Sequence, residues 1–196
     1  EVLPEDTIAD LCQKIYAANV DAMTQTLGLL RPEAVRAAAS LMMGADKVLC
    51  MGQGGSMILA QEAAHLFATA LPNFFPVVDS HIQAMLTAQL TRRDVVLYFS
   101  YSGSTKELLD NLKIARERGA GVILITRFPK SPGAAYADVV LQCGSHEGPF
   151  QGGSVAARIA QLYVVDVLFS ELCRRDLEGC RERRELVAEV LSDKHI

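Results

Sequence analysis

Several features that would restrict the function are missing from this chain of 196 residues. The longest apolar runs, at residues 95–99 and 122–125, are far shorter than the roughly 20 residues of a membrane-spanning helix. The first ten residues are acidic, whereas a secretory signal begins with positive charge and an apolar stretch. We therefore expect no membrane span, no secretory signal and a cytoplasmic protein.

An excess of basic residues is missing as well. The chain has 19 Lys and Arg against 23 Asp and Glu, and its net charge is −4. Residues 1–30 supply all of that charge, because five acidic residues there face Lys14 alone. Without a basic stripe, the chain by itself lacks the charge pattern with which proteins bind a phosphate backbone.

Paired cysteines are missing too. The chain has five cysteines, an odd number, without a C-x-x-C pair: Cys12, Cys50, Cys143, Cys173 and Cys180. This pattern is typical of reduced thiols in a cytoplasmic protein and not of a disulfide framework. No group of His, Cys and Asp has the spacing of metal ligands, and we expect no metal and no cofactor.

What the chain does contain is a change of periodicity. Residues 4–30 and 31–44 carry apolar residues at helical spacing, and two helices are predicted there. Short apolar runs then alternate with helical segments, which is typical of a parallel sheet covered on both faces. The strands are predicted at residues 48–51, 74–78, 95–99, 122–125 and 138–142, and the last three helices at residues 106–118, 155–172 and 181–191. The predicted fold is a three-layer α/β/α sandwich with a five-stranded parallel sheet and extra N-terminal helices.

Two loops follow predicted strands at the edge of the sheet where doubly wound folds bind ligands. The first is Gly52-Gln53-Gly54-Gly55-Ser56, directly before a helix. Its glycines allow close approach of the backbone, and the helix N-terminus presents free N–H groups, so the loop suits an anion or a sugar. A dinucleotide fingerprint would need glycine where Met57 stands. The alternative interpretation is a simple tight turn.

The second loop is Ser100-Tyr101-Ser102-Gly103-Ser104-Thr105, which has five hydroxyl groups within six residues. At the start of a helix, these neutral donors can surround a phosphate together with backbone N–H groups. Lys106 either adds a cation or faces solvent. Helix capping and a polar turn would explain about two of the hydroxyls, and this is the alternative.

The two loops together resemble the sugar isomerase (SIS) phosphosugar-binding domain, with G-x-G-x-S after the first strand and S-x-S-G-x-T after the third. Further segments are similar to the RpiR family of bacterial transcriptional regulators: Thr24-Gln25-Thr26, residues 154–162 and residues 166–168. The resemblance extends over nearly the whole chain, to about Leu172. It implies one structural domain, with residues 46–196 as the SIS domain and residues 1–45 as a helical arm packed on it.

The RpiR resemblance implies a sensor of a sugar phosphate or amino-sugar phosphate that works as a homodimer or tetramer. DNA would be bound only through an N-terminal helix-turn-helix domain that is absent from these residues. Carried over residue by residue, Ser56 approaches the sugar phosphate, and Ser100, Ser102 and Thr105 hold its phosphate. The complete expected ligand-binding set is Gly54, Gly55, Ser56, Ser100, Tyr101, Ser102, Ser104, Thr105 and Glu147.

SIS domains also occur in enzymes, so the alternative is a stand-alone aldose–ketose phosphosugar isomerase. Enediol chemistry needs a base beside the C1–C2 hydrogens, and Glu147 or His146 would supply it. Further candidates, each with an ordinary surface role as the alternative, are Glu62 and His81. Arg158 lies in an otherwise apolar helix, where we favour pairing with an acid such as Asp166 or at a subunit interface over contact with the ligand.

Overall fold

A parallel sheet of five strands lies at the centre of the described part of the chain. The computed structural model describes residues 2–145 and 154–192. In chain order the strands are β1 (Lys47–Gly52), β2 (Phe74–Pro76), β3 (Asp94–Phe99), β4 (Gly121–Thr126) and β5 (Val139–Gln142). Their order across the sheet is β2-β1-β3-β4-β5, and every neighbouring pair is parallel. The predicted fold class is confirmed.

Helices cover both faces of this sheet. In chain order they are α1 (Ile8–Leu29), α2 (Pro32–Met43), α3 (Gly55–Ala68), α4 (Ser80–Thr87), α5 (Lys106–Arg118), a 3-10 helix (Pro132–Tyr136), α6 (Val155–Arg175) and α7 (Leu177–Ser192). The first helix begins four residues later than predicted, because Thr7 caps it. The Thr7 hydroxyl accepts the N–H of Asp10, and the Asp10 carboxylate accepts the N–H of Thr7.

Side chains along each strand point alternately to the two faces of the sheet, and each face has its own hydrophobic core. In β3, Val95, Leu97 and Phe99 face the core formed with α1, α2, α3 and α6. Val96 and Tyr98 face the second core, formed with α4 and α5. Because side chains alternate along a strand, a central strand buried on both faces is a continuous apolar run, which is the pattern that identified it in the sequence.

The edge strand β2 is shorter than predicted. It ends at Pro76, which lacks an N–H group and is tolerated because only β1 pairs with this strand. The chain then turns towards α4, whose first turn is capped by the Asp79 carboxylate accepting the N–H of Ile82 at 2.9 Å. None of the helices in residues 2–145 and 154–192 is long and apolar enough to cross a bilayer.

The helix α1 is attached to the rest of the fold through its C-terminal half, where Ala22 and Thr26 are its buried residues. The Thr26 hydroxyl accepts the N–H of Gly144 at 2.9 Å and donates to the carbonyl of Ala22 at 2.6 Å. A Cβ on Gly144 would lie 2.4 Å from the Cβ of Gln25. Glycine therefore permits the segment after β5 to lie directly against α1.

Candidate functional site

The two loops singled out in the sequence lie side by side. Gly52, at the end of β1, pairs in register with Phe99, at the end of β3, so residues 52–56 and 100–105 leave the sheet at adjacent positions. After β1 the chain forms β2 on one side of this strand and then crosses over to form β3 on its other side. This is the switch point of the sheet, where open α/β folds have their ligand crevice.

The first loop, residues 52–56, turns tightly into α3. A Cβ on Gly52 would lie 2.6 Å from the carbonyl oxygen of Ser56, so this position requires glycine. Gly54 has a φ of 53° and is the N-cap residue of α3 without a side-chain cap. Gly54 and Gly55 are exposed and Ser56 is half-buried. The N-terminal backbone of α3 is therefore exposed at the cleft.

The second loop, residues 100–105, contains one buried serine that stabilises the turn and three exposed residues with hydroxyl groups. Ser100 is buried, and its Oγ accepts the N–H of Gly103 at 3.1 Å. Ser102, Ser104 and Thr105 are exposed. Thr105 is the N-cap residue of α5, but its side chain makes no capping bond. Capping therefore does not explain the Thr105 hydroxyl.

Tyr101 connects the second loop to the segment after β5. Its hydroxyl donates to the carbonyl oxygen of Ser145 at 2.9 Å, and its ring meets the ring of Phe128 edge to face at 5.8 Å between centroids. The carbonyl oxygen of Tyr101 accepts the hydroxyl of Thr126 at 3.0 Å. These contacts hold the phenol as a half-buried wall of the cleft.

The helix α6 supplies the opposite wall. A pocket of about 100 Å³ is lined by Gln53, Gly55, Ser56, Leu59, Tyr101, Ser154, Ala157, Arg158 and Gln161. A Cβ on Gly55 would lie 3.8 Å from the Nε of Arg158, so this guanidinium lies over the first loop. Asp166 is exposed two turns further along α6, and in the described part of the chain it makes no ion pair with Arg158. Asp166 is therefore not the partner of Arg158, whereas pairing at a subunit interface stays a prediction, and the guanidinium lies at the cleft.

A buried amide supports the first loop from below. The Nε2 of Gln83, on α4, donates to the carbonyl oxygens of Gly52 at 3.0 Å and Val77 at 2.8 Å. Its Oε1 accepts the Nε2 of Gln53 at 2.8 Å. Gln83 is completely buried, so all of these bonds form away from water. The end of β1 and the side chain of the first loop are thereby fixed by one residue.

Tyr98 and Asn111 complete this network. The Nδ2 of Asn111 lies 3.3 Å from the Oε1 of Gln83, and the Tyr98 hydroxyl lies 3.5 Å from the same oxygen. Burial raises the pKa of the Tyr98 hydroxyl, although hydrogen bonds from Gln53 and Asn111 oppose the shift. The phenol therefore stays neutral beneath the loop.

The remaining candidates of the sequence analysis have other positions. Glu62 and His81 are exposed, and neither lines the pocket. Glu147 and His146 lie outside the described residues. Within the described ranges, no cluster of three or more His, Cys, Asp or Glu side chains is placed to hold a metal ion.

Two polar residues of the site, Gln83 and Gln161, were not among the residues predicted from the sequence. A signal was present for Gln161, because it stands three positions after Arg158 in an apolar helix and shares its face. For Gln83 the sequence carries no comparable signal. The role of Gln83 arises only because the end of β1 lies above α4 in the folded protein.

Comparison with known proteins agrees with this geometry. The family model described as SIS domain matches residues 41–171. An HTH-type transcriptional regulator of Caldanaerobacter subterraneus subsp. tengcongensis is 33% identical over 195 residues, which cover 100% of this chain and 69% of the relative. The HTH-type transcriptional regulator RpiR of Escherichia coli K12 is 26% identical over 183 residues, covering 91% and 62%.

Solved structures share the fold as well. The NanR protein of Vibrio vulnificus, solved in complex with ManNAc-6P, has a TM-score of 0.89 and 26% identity, covering 95% of this chain and 70% of that one. A phosphoheptose isomerase from Francisella tularensis has a TM-score of 0.71 at 21% identity, covering 86% and 100%. Regulators and isomerases are thus both built on this fold.

Proposed function

This chain belongs to the SIS domain family, among the RpiR-type transcriptional regulators, and we propose that it senses a sugar phosphate or amino-sugar phosphate for such a regulator. The observation that carries the proposal is the pair of loops at the switch point. Exposed hydroxyls of Ser102, Ser104 and Thr105 lie at the start of α5, beside the exposed glycines that begin α3. The relation to the Vibrio vulnificus NanR protein, solved with ManNAc-6P, supports it.

We place the phosphate at the second loop. The N-terminus of α5 carries partial positive charge and free N–H groups, and Ser102, Ser104 and Thr105 add neutral donors around it. Ser100 shapes the loop from inside, because its Oγ accepts the N–H of Gly103. The sugar then extends towards Gly54, Gly55 and Ser56 of the first loop and towards α6, with Tyr101 as a side wall.

Binding would bridge two loops that belong to different strands. A ligand that contacts both stabilises the arrangement in which they are close, and the equilibrium shifts by its differential affinity for that arrangement. The Thr26–Gly144 contact lies beside the same edge of the sheet and connects it to α1. We therefore propose residues 1–45 as a helical arm that transmits the change from the sensing domain, residues 46–196, to a helix-turn-helix domain.

The chain spans about two thirds of the length of these regulators. DNA binding would belong to their remaining part, and we propose that the protein acts as a homodimer or tetramer. The fold by itself does not decide between sensing and catalysis, because isomerases share it.

An aldose–ketose isomerase is the second candidate function. It would depend on Glu147 or His146 as the base, with Glu147 also contacting the sugar. The described lining of the pocket contains no Asp, Glu or His side chain that could remove a proton from carbon. Because the curated relatives that match this chain are transcriptional regulators, sensing without turnover is the function that we favour.

The test of the proposal is a binding measurement on phosphate-loop variants. We expect a sugar 6-phosphate from a hexose and amino-hexose panel to raise the melting temperature, since ligand at 100 times its dissociation constant adds roughly 2.7 kcal/mol. Ser102→Ala and Thr105→Ala should each weaken its binding about 10- to 100-fold, because each removes a hydrogen bond to a charged group. Isothermal titration calorimetry measures the affinities.

Ser170→Ala is the matched control, since Ser170 is exposed on α6 away from the loops. It should bind like the wild type, and all three variants should unfold within about 0.5 kcal/mol of it. Wild-type affinity in both loop variants would disprove the proposed phosphate site.

A turnover assay separates the two functions. The bound sugar phosphate is incubated with the protein at saturation and followed by NMR for conversion between aldose and ketose. We expect no conversion. Conversion that disappears in Glu147→Gln or His146→Gln, with binding retained, would establish the isomerase instead.

A further inference from the structure

The wall of the cleft contains a buried amide oxygen that has no hydrogen-bond partner among the described residues. Gln161, on α6, is only 2% exposed and lines the same pocket as Ser56 and Arg158. Its Nε2 donates to the carbonyl oxygen of Ala157 at 3.3 Å. Its Oε1 is buried without a partner among the described residues. Unpaired buried acceptors are uncommon in folded proteins, and this one lies in the wall of a binding pocket.

The orientation of the amide follows from its own hydrogen bond. If the group were turned over, its carbonyl oxygen would face the carbonyl oxygen of Ala157, and two acceptors would meet. The unpaired atom is therefore the acceptor. A partner for it must be a donor, which a phosphate oxygen is not.

Gln83 provides an internal comparison. It is equally buried, but its Nε2 donates to two backbone carbonyls and its Oε1 accepts the amide of Gln53. A buried glutamine in this fold is thus fully paired where its role is structural. The unpaired oxygen of Gln161 occurs instead at the ligand pocket.

We propose that Gln161 determines ligand specificity by accepting a hydrogen bond, through Oε1, from a hydroxyl of the sugar. This inference rests on the proposed function. It also sets the direction of the ligand, with the phosphate at Ser102, Ser104 and Thr105 and a donor-bearing carbon of the sugar against α6. Sugar phosphates that lack a donor at that carbon leave the acceptor unpaired and are rejected.

The experiment is a cycle of ligand and protein changes measured by calorimetry. Wild type is titrated with glucose 6-phosphate, glucosamine 6-phosphate, N-acetylglucosamine 6-phosphate, N-acetylmannosamine 6-phosphate and inorganic phosphate. The tightest sugar phosphate is then compared with its monodeoxy analogues on wild type and on Gln161→Met, which keeps the length of the side chain but has no acceptor of comparable strength.

We expect one deoxy analogue to bind wild type about 10-fold more weakly than the parent. On Gln161→Met the parent should lose about the same factor, whereas removing that hydroxyl should then make little further difference. The affinity for inorganic phosphate should be the same in both proteins, because Gln161 does not contact the phosphate.

The failures of the two proposals are distinguishable. If none of the sugar phosphates binds wild type, the proposed function fails, and this inference fails with it. If a sugar phosphate binds but every deoxy analogue binds wild type within 2-fold of it, the proposed role of Gln161 is overturned while the proposed function stands. This second comparison needs only the wild-type protein, so it decides even if Gln161→Met does not fold. Equal penalties for the deoxy analogues in wild type and variant would also overturn the inference.

Discussion

The two loops of the cleft occupy equivalent positions but are held in different ways. The first loop, residues 52–56, is fixed from below by the completely buried side chain of Gln83, which belongs to another element. The second loop, residues 100–105, is fixed by its own Ser100, by the hydroxyl of Thr126 on the carbonyl of Tyr101, and by backbone bonds such as that from the N–H of Gly133 to the carbonyl of Gly103 at 2.9 Å. Its remaining hydroxyls stay exposed.

Because the loops are held differently, substitutions in the first should change the stability of the fold, and substitutions in the second should change ligand affinity. Substitutions at the first loop or beneath it should affect the folded state, since they disturb buried, mutually dependent hydrogen bonds. The Thr105 hydroxyl makes no capping bond, and the Ser102 hydroxyl accepts only a long, exposed bond from the N–H of Ser104 at 3.4 Å, so substitutions of either should affect mainly ligand affinity.

The largest effect is expected at the first glycine. In Gly52→Ala the new Cβ would lie 2.6 Å and 2.7 Å from the carbonyl oxygen and carbon of Ser56, and 2.9 Å from the nitrogen of Met57. All three are backbone atoms, so relief requires movement of the loop. We expect a loss of about 3 kcal/mol in the free energy of unfolding, measured by urea titration.

Gly28→Ala is the matched control, because Gly28 lies in α1 and nothing stands within 4 Å of its added Cβ. It should raise stability by about 0.5–1 kcal/mol, as alanine favours helix. A Gly52→Ala protein as stable as the wild type would contradict the tight fixation of the first loop.

The next effect is expected beneath the loop. Gln83→Met removes both donors to the carbonyls of Gly52 and Val77 and the acceptor for Gln53, leaving buried polar groups unpaired. We expect a loss of about 2–3 kcal/mol in stability together with weaker sugar-phosphate binding. Chemical unfolding and calorimetry measure the two quantities.

Gln89→Met is the control for the same exchange, since Gln89 is exposed just after α4. It should lie within about 0.5 kcal/mol of wild type. If Gln83→Met lost affinity but no stability, the network would serve the ligand alone, and the comparison between the loops would be wrong.

The same comparison shows what the sequence can predict. The helix α5 was predicted at residues 106–118 and is found at Lys106–Arg118, because its limits are local: Thr105 begins it and Gly119, with a φ of 77°, ends it. Both loops were predicted as well, because glycines and hydroxyl residues at the ends of strands can be recognised from the sequence alone. The limits of α5 and the composition of the two loops both depend on residues that are close together in the sequence.

The support of the first loop could not be predicted in this way. Gln83 meets Gly52 across 31 positions of sequence, and its role exists only because α4 packs beneath β1. Arg158 was expected to pair with an acid such as Asp166 or at a subunit interface, and the packing of α6 against α3 places its guanidinium over the first loop. Such residues are identified by tertiary contacts and not by local pattern.

The smallest predicted effect concerns the pH dependence of this network. Burial raises the pKa of Tyr98, so the folded protein retains a phenolic proton that the unfolded chain releases above about pH 10. The contribution is complete below that pH and falls as the pH rises towards the folded pKa. Tyr98→Phe removes the titration. Its stability in urea titrations should therefore decline less between pH 10 and 11 than that of wild type. Parallel declines would show that the phenol ionises freely in the folded state, and the first loop would then rest on a more open network than the second.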